Sequence, residues 1–278
     1  MKTILVPTDF SSTAINASEY AIQLGKQLGA EKIILYNVYQ IQTAIASDPI
    51  IPVVGVFDLE NIKSISESGL NNALMELKKS HPDVDIETLS EFGLLTENID
   101  QTCKDKFVDL IVIGITGGGA IEENLFGSNT ITVAKHTSVP VVIVPSKARF
   151  TTIQNIALVS DFKKVVESTP VAPIRKILDA SKARIFVLNV DHSNREFDSD
   201  TPFESLMLDT LLAGYKPEYH FIDDPDFVAC INDFVIDRKI DMLITIPKKH
   251  GLFDKIFKRS HTKMLAFHTH IPIMVVHE

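Results

Sequence analysis

The chain contains an internal repeat, and no other feature of its sequence limits the possible fold as strongly. Residues 4–10 return 152 positions later, and the apolar run 109–113 returns 132 positions later. The second copy is therefore about 20 residues shorter in its middle. Because four matches keep the same order, we expect two tandem copies of one fold. The matched segments are 4–10 with 156–162, 33–38 with 185–190, 109–113 with 241–245, and 136–144 with 268–276.

The length agrees with two domains. At a usual size of about 150 residues per domain, 278 residues suit two domains, and each can bury a full apolar core. A short polar stretch at 146–152 follows the last expected strand of the first copy. We therefore expect one domain over 1–147 and a second over 152–278.

Apolar runs alternate with helical patterns in each copy. The runs are rich in Val, Ile and Leu without polar alternation, which is typical of parallel strands buried on both faces. Ser11 or Ser12 can cap the first helix, and Gly29 can end it. The pattern predicts an α/β fold with two tandem doubly wound parallel sheets, whose ligands bind at the carboxyl ends of the strands. In the first copy the expected strands are 3–7, 33–38, 84–89, 109–113 and 141–144, and the expected helices are 12–28, 62–80, 95–107 and 128–137.

The composition argues against several classes of protein. The net charge of −9 opposes binding to nucleic acid or to an anionic membrane surface. Two cysteines, Cys103 and Cys230, are too few for a disulfide framework, and we expect both to be buried in helices. Neither a secretion signal nor a membrane-spanning run is evident, so we expect a soluble cytoplasmic protein.

A glycine-rich loop follows the fourth expected strand. It contains Gly114 and Gly117, then nine residues, then Gly127 and Ser128 at the start of a helix. Glycines let backbone amides approach a phosphate, and free amides at a helix N-terminus attract its negative charge. The loop is neither a Walker A loop nor a Rossmann fingerprint, since no Gly-Lys-Ser/Thr follows and Glu122 replaces the third glycine. It predicts a phosphate site, in which Ser128 could equally serve only as the helix cap.

The loop and the opening strand together resemble the universal stress protein family. ATP-binding members of that family have a doubly wound α/β fold and carry this glycine spacing, ending in Gly-Ser or Gly-Thr. The opening residues 5–11 (Leu-Val-Pro-Thr-Asp-Phe-Ser) are similar to the family's first strand, which ends in Pro-x-Asp-x-Ser. The run 140–144 is similar to the family's fifth strand. The resemblance covers nearly the whole chain, as two copies.

The resemblance implies the residues of a site for ATP, AMP or ADP, with Mg²⁺ as a companion of the nucleotide. Pro7, Thr8 and Asp9 would line the adenosine part, with Asp9 near the adenine or the ribose. Val38 falls at the family's adenine-contacting position. From the residues alone, Asp9 could instead cap the helix that follows the first strand. The implied phosphate-binding residues are Gly114, Gly117, Gly127, Ser128, Asn129 through its backbone amide, and Thr130.

The second copy has lost these glycines. At the offset of 132, Ile246, Lys249 and Arg259 replace them, so we expect no ATP site of this kind in the second half. The stretch 248–259 carries five basic residues and one acid. It could be a different anion site, a docking patch for an acidic protein partner, or a solvated loop. The histidines near the end lack paired cysteine or carboxylate spacing, so we expect no metal site.

These features predict a universal stress protein that binds one adenine nucleotide and acts in sensing or signalling during stress. No acid–base pair or nucleophile motif is evident, so we assign no catalytic residue and expect slow ATP hydrolysis at most. Two other functions stay open. One is a nucleotide-dependent enzyme of the adenine nucleotide alpha hydrolase class, and the other is an interaction module without nucleotide. A homodimer is a further open possibility.

Two structural predictions complete this interpretation. In the family, the fifth strand lies at the sheet edge and pairs with its counterpart in a second domain. We therefore expect 141–144 to pair with 273–276 within this chain, as a pseudo-dimer. The long apolar link 41–58 is expected to fold over the nucleotide region or to pack against another chain, although simple coverage of the core would explain it equally well.

Overall fold

The computed structural model describes six stretches of the chain, and they contain eight α-helices and ten β-strands. Two predicted features fall largely outside them, the link 41–58 and the basic stretch 248–259. Within the described stretches, no helix is both long and apolar enough to cross a membrane. The described residues are 1–41, 56–115, 128–191, 201–223, 226–247 and 271–277.

The first half alternates strands and helices in the predicted order. Ser11 caps α1, because its Oγ accepts a hydrogen bond from the amide of Ala14 at 3.2 Å. Gly29 ends α1 in the left-handed region, at φ 67°, where a residue without Cβ is unstrained. The elements are β1 (Thr3–Pro7), α1 (Ser12–Leu28), β2 (Lys32–Tyr39), α2 (Val56–Ser80), β3 (Ile86–Phe92), α3 (Leu95–Asp105), β4 (Leu110–Ile115), α4 (Ser128–His136) and β5 (Val141–Pro145).

Two predicted boundaries in the first half were wrong by three residues or more. Helix α2 begins at Val56 rather than at residue 62. The sequence contains no helix-breaking glycine or proline between Gly55 and Gly69, so the helix can begin directly after Gly55. Strand β3 continues to Phe92 rather than ending at residue 89. It does so because it pairs in parallel with the whole of β2, up to the partner position Tyr39. Both errors lie at element ends, where the apolar pattern is weakest.

In its described residues the second half repeats this order, with a shorter helix α7 in the place of α2. The single helix α1 of the first half corresponds to two helices here, which are interrupted at Thr169 and Pro170. Proline at that point cannot donate the backbone hydrogen bond that would continue the first helix. The elements are β6 (Asn155–Val159), α5 (Val165–Ser168), α6 (Val171–Ser181), β7 (Arg184–Asp191), α7 (Thr201–Leu212), a 3₁₀ turn (Ala213–Tyr215), β8 (Glu218–Asp223), α8 (Phe227–Asp237), β9 (Met242–Thr245) and β10 (Ile273–Val275).

All ten strands form one sheet, in the order β3-β2-β1-β4-β5-β10-β9-β6-β7-β8. Neighbours are parallel everywhere except at the centre, where β5 and β10 are antiparallel. There Ile143 faces Ile273 and Val141 faces Val275. The predicted pairing of the two fifth strands within one chain is therefore confirmed, and with it the α/β fold of two doubly wound halves.

The apolar cores follow from this sheet. One core runs along one face through both halves and includes Val142 and Met274 of the central strand pair. The opposite face carries a separate core in each half, which α3 and α4 cover in the first and α8 covers in the second. Cys103 and Cys230 lie in these two cores and are buried as predicted. Burial raises the pKa of the Cys103 thiol to about 12, so this thiol stays protonated at neutral pH.

Helix α1 holds the connection between the halves. The Asn16 amide donates to the carbonyl oxygen of Ala148 at 3.0 Å. The Gln27 amide both donates to and accepts from the backbone of Ile153, each at 2.9 Å. The ring of Tyr20 meets that of Phe150 edge to face, with centroids 5.3 Å apart. The segment between β5 and β6 is thus packed along α1 instead of forming a free linker.

An aspartate ahead of the fourth strand recurs in both halves and ties chain segments together. Asp241 accepts hydrogen bonds from the amides of Gln154 and Asn155 at 2.8 and 2.9 Å. Asp109 likewise accepts from the amides of Lys2 and Thr3, at 2.6 and 3.3 Å. It also forms an ion pair with Lys176 of the second half. Of these two aspartates, only Asp109 forms an ion pair with the other half among the described residues.

Candidate functional site

A pocket of about 400 Å³ opens at the carboxyl ends of β1 and β4, where the strand order of the first half reverses. In doubly wound sheets this reversal point is the usual place for a ligand, because the helices on either side of it diverge. The first turns of three helices, α1, α3 and α4, contribute to the wall. The lining residues are Pro7, Thr8, Asp9, Ser11, Thr13, Ala14, Tyr36, Asn37, Val38, Leu95, Ile113, Gly114, Asn129 and Thr130.

Most residues of the predicted nucleotide site line this one pocket, although they are far apart in the sequence. Gly117 and Gly127 lie outside the described residues. Ser128 begins α4, but its side chain is also outside the description. The predicted residues that the fold brings together are Pro7, Thr8, Asp9, Val38, Gly114, Asn129 and Thr130.

The turn between β1 and α1 forms one wall. Thr8 Oγ1 accepts from the amide of Phe10 at 3.1 Å, and Asp9 Oδ1 accepts from the amide of Ser11 at 3.0 Å. Phe10 adopts a positive φ of 65°, which reverses the chain into the helix. The Asp9 carboxylate therefore stabilises the turn ahead of α1, while Ser11 caps the helix, and Asp9 lies exposed at the pocket.

Gly114 forms the wall on the β4 side and has no room for a side chain. A Cβ at this position would lie 2.8 Å from the carbonyl oxygen of Thr13 and 2.8 Å from Thr13 Cγ2. Such distances are well inside normal van der Waals contact. Glycine therefore allows the first turn of α1 to pack directly on the end of β4.

Thr130 joins α4 to the same strand end. Its hydroxyl donates to the carbonyl oxygen of Gly114 at 2.9 Å, and the side chain is buried. This bond holds the N-terminus of α4 at the pocket, and the first turn of α4 contains no acidic residue. Exposed amides and the helix dipole make such an end attractive to an anion. In this structure the Thr130 hydroxyl proton is already engaged, so Thr130 positions the helix here.

Strand β2 supplies a wall that is apolar on one side and polar on the other. Val38 and Leu95 are half-buried and offer an apolar surface. Tyr36 is fully buried, and its hydroxyl donates to Glu91 Oε2 at 2.6 Å. Burial, together with this hydrogen bond, raises the pKa of Tyr36 far above its usual value. The phenol therefore remains neutral and acts as a fixed part of the wall.

Asn37 is the polar group of this wall, and the sequence did not assign it a role in the site. It lies next to Val38 on β2, and its counterpart Asn189 appears in the repeat, so the repeat itself was an available indication. Leu95 is the first residue of α3, far from β2 in the sequence, and no sequence pattern indicated that it would line the pocket. The unassigned lining residues are Ser11, Thr13, Ala14, Tyr36, Asn37, Leu95 and Ile113.

The corresponding region of the second half differs at the position of Gly114. Ile246 occupies that position and is buried in the core that also contains Phe162 and Val165. The helix that follows β6 is the four-residue α5, so the close packing of a long helix on the strand end is absent from this part of the structure. The turn itself is retained, since Ser160 Oγ accepts from Phe162 and Asp161 Oδ1 accepts from Lys163.

The lining carries little charge. Asp9 is the only carboxylate among the described lining residues, and none of them is lysine, arginine or histidine. Recognition of an anion by these residues would therefore depend on backbone amides and the α4 N-terminus rather than on cationic side chains. The described part of the chain contains no cluster of three or more histidine, cysteine, aspartate or glutamate residues that could hold a metal ion.

The fold is that of a doubly wound α/β protein, and its first half has a pocket at the reversal of strand order. A family model described as the universal stress protein family matches residues 1–145. One universal stress protein of Methanocaldococcus jannaschii is 33% identical over 156 residues, covering 52% of this chain and 96% of the relative. A second from that organism is 28% identical over 145 residues, covering 51% of this chain and 81% of the relative.

The whole chain also resembles a solved structure. A universal stress protein from Archaeoglobus fulgidus DSM 4304 covers 99% of this chain, and 98% of its own chain is covered, with a TM-score of 0.70 at 16% identity. At that identity the likeness shows the fold alone. Together with the family match over more than half of the residues, it confirms the predicted family: the chain belongs to the universal stress protein family.

Proposed function

We propose that the protein binds ATP, or another adenine nucleotide, in the pocket of its first half and acts in the cytoplasm as a regulatory or sensing protein in a stress response. The observation that carries the proposal is the pocket itself. Gly114, a position with no room for a side chain, lies beside the N-terminus of α4 at the point where the strand order reverses. This combination favours a phosphorylated ligand whose charge meets backbone amides.

The two ends of the pocket suit the two ends of a nucleotide. Val38 and Leu95 offer an apolar surface for the base, and the exposed Asp9 carboxylate can accept hydrogen bonds from the ribose or the adenine. Gly114 and the first turn of α4, with Asn129, lie on the phosphate side. Gly117 and Gly127 are assigned to the phosphate side from the sequence motif, since they lie outside the described residues. Asp9 is the only described carboxylate here, so Mg²⁺ would enter with the phosphates rather than bind a protein cage.

We propose that only the first half binds nucleotide in this way. A buried isoleucine, Ile246, stands at the position of Gly114, and Lys249 and Arg259 replace the two later glycines. A side chain at these positions keeps a phosphate away from the backbone amides. The first half thus forms a nucleotide-binding domain over 1–147, and the second, over 152–278, serves mainly to complete the central sheet.

The proposal assigns no catalytic turnover to the site. None of the described lining residues is a histidine, lysine or glutamate, and Asp9 Oδ1 already accepts from the Ser11 amide. A general base poised over the phosphates is therefore not provided by these residues. Prolonged incubation with ATP is expected to give less than a few turnovers per chain. Many turnovers with a second substrate would favour an enzyme of the adenine nucleotide alpha hydrolase class instead.

The direct test is mass spectrometry of the purified protein after denaturation, followed by titration calorimetry on nucleotide-free protein. We expect released adenine nucleotide, or saturable binding of added ATP. GTP serves as the matched control for the base, and the adenine assignment predicts that it binds more weakly than ATP. A chain that neither releases nor binds any nucleotide would be an interaction module, and the proposal would be wrong.

A further inference from the structure

A chain of buried hydrogen bonds connects α2 to the wall of the pocket. Ser90 Oγ lies 2.7 Å from Ser66 Oγ, and Ser66 Oγ lies 2.6 Å from Asn37 Oδ1. The Asn37 amide nitrogen lies 2.6 Å from the carbonyl oxygen of Thr8. Asn37 and Ser66 are 9% and 3% exposed, so these groups have little access to water and depend on one another.

The direction of every bond in this chain is determined. A carbonyl oxygen can only accept, so the Asn37 group that faces Thr8 must be the amide nitrogen. Asn37 Oδ1 therefore faces Ser66, whose single hydroxyl proton must be donated to it. Ser66 can then only accept from Ser90. The donors thus run from β3 through α2 and β2 to the turn after β1.

These bonds hold the peptide group between Thr8 and Asp9. The Thr8 amide donates to the carbonyl oxygen of Tyr36 at 2.8 Å, and the Thr8 carbonyl accepts from Asn37. With both backbone groups of Thr8 engaged by β2, the plane of the following peptide has little freedom. The position of the Asp9 side chain at the pocket follows from that plane.

The second half contains the same asparagine, and in the part of the chain that the structure describes no helix side chain contacts its oxygen. Asn189 donates to the carbonyl oxygen of Ser160 at 2.8 Å, as Asn37 does to Thr8. Asn189 is 2% exposed, yet its Oδ1 has no hydrogen-bond partner among the described residues. The asparagine-to-turn bond is therefore common to both halves, whereas the serine that completes it belongs to the first half. The second half also shows that the fold tolerates the asparagine without that serine.

We propose that Asn37 and Ser66 are positioning residues for the adenosine end of the nucleotide, so that α2 takes part in the site through a side chain that does not line the pocket. The inference rests on the proposed function and deepens it. Ser66 holds Asn37, Asn37 holds the Thr8–Asp9 peptide, and Asp9 meets the ligand. Without the serine, this peptide samples orientations in which Asp9 cannot contact the nucleotide. The apparent affinity then falls in proportion to the fraction of molecules that remain in the binding orientation.

The test compares Ser66→Ala with the matched control Ser168→Ala. Ser168 is also a buried helical serine, but its Oγ donates to the backbone of Lys163 in the second half. Calorimetry with ATP and with adenosine is carried out on both variants and the wild type, well below their unfolding temperatures. We expect Ser66→Ala to weaken both ligands by the same factor, about fivefold, as expected for one hydrogen bond. Ser168→Ala is expected to leave both affinities unchanged.

The outcomes separate the two proposals. Wild-type protein that binds neither ligand would refute the proposed function. Wild-type binding that Ser66→Ala leaves unchanged would refute the positioning role alone. So would a loss confined to ATP, because a change restricted to the phosphate end cannot come from the Thr8–Asp9 peptide. Ser90→Ala provides a second, milder variant, which leaves the Ser66–Asn37 bond in place and is expected to weaken adenosine less than Ser66→Ala does.

Discussion

Replacement of Gly114 by alanine tests how the pocket is built. The added Cβ would lie 2.8 Å from two atoms of Thr13, one of them a backbone carbonyl oxygen. Normal contact begins near 3.5 Å, so the first turn of α1 must move by roughly 0.7 Å. Forced overpacking of this kind costs about 1–3 kcal/mol of folding free energy. Because the same turn forms the pocket wall, we expect ATP binding to weaken at least about tenfold, which corresponds to about 1.4 kcal/mol.

The matched control is Gly214→Ala. No atom of the described residues lies within 4 Å of a Cβ built on Gly214, and its backbone does not require glycine. We expect this variant to keep ATP affinity and to change stability by less than about 0.5 kcal/mol. Urea unfolding gives the stability of both variants, and titration calorimetry gives their affinities. If Gly114→Ala matched the wild type in both measurements, the close packing of α1 on β4 would not be what shapes the site.

Three further substitutions test the asymmetry of the halves and their junction. Gly117→Lys is expected to abolish ATP binding in calorimetry while circular dichroism shows an intact fold. Lys249→Gly alone should not create a second site. Undiminished ATP binding by Gly117→Lys would contradict the claim that the glycine spacing is required for binding. Lys176→Met concerns Asp109, where burial alone would raise the carboxyl pKa, but the Lys176 ammonium and two backbone amides hold it below its usual value. A lowered folded-state pKa stabilises the protein above the unfolded-state pKa, and this stabilisation is lost as the pH falls through the folded-state pKa. The variant should therefore unfold at a lower temperature than wild type at pH 7, and the gap should narrow as the pH falls below the usual aspartate pKa of about 3.9. A gap that stayed constant through this pH range would show that the ion pair does not carry the effect.

The central sheet could be predicted because its determinants are local and repeated. Each fifth strand is short, apolar and preceded by a proline, at Pro140 and Pro272, and an edge of this kind needs a partner. Since both copies lie on one chain, each provides the partner of the other. The interruption of the helix after β6 was not predicted, although Pro170 indicates it once the strand is placed.

The site could be predicted only where a residue type carries the chemistry by itself. Gly114 stood out because glycine at a strand end permits a close approach, and Asp9 because it follows a strand directly. The Ser66–Asn37 contact could not be read from the sequence. It depends on how α2 packs across β2, and serine in a helix interior carries no distinguishing pattern.

The claim that one half binds nucleotide is tested most directly by counting ligands on the intact chain. Native mass spectrometry of the wild-type protein at increasing ATP concentration gives that number. We expect a single bound ATP per chain at saturation, because Ile246 fills the counterpart of Gly114 in the second half. Two bound ATP molecules per chain, or none, would contradict the account.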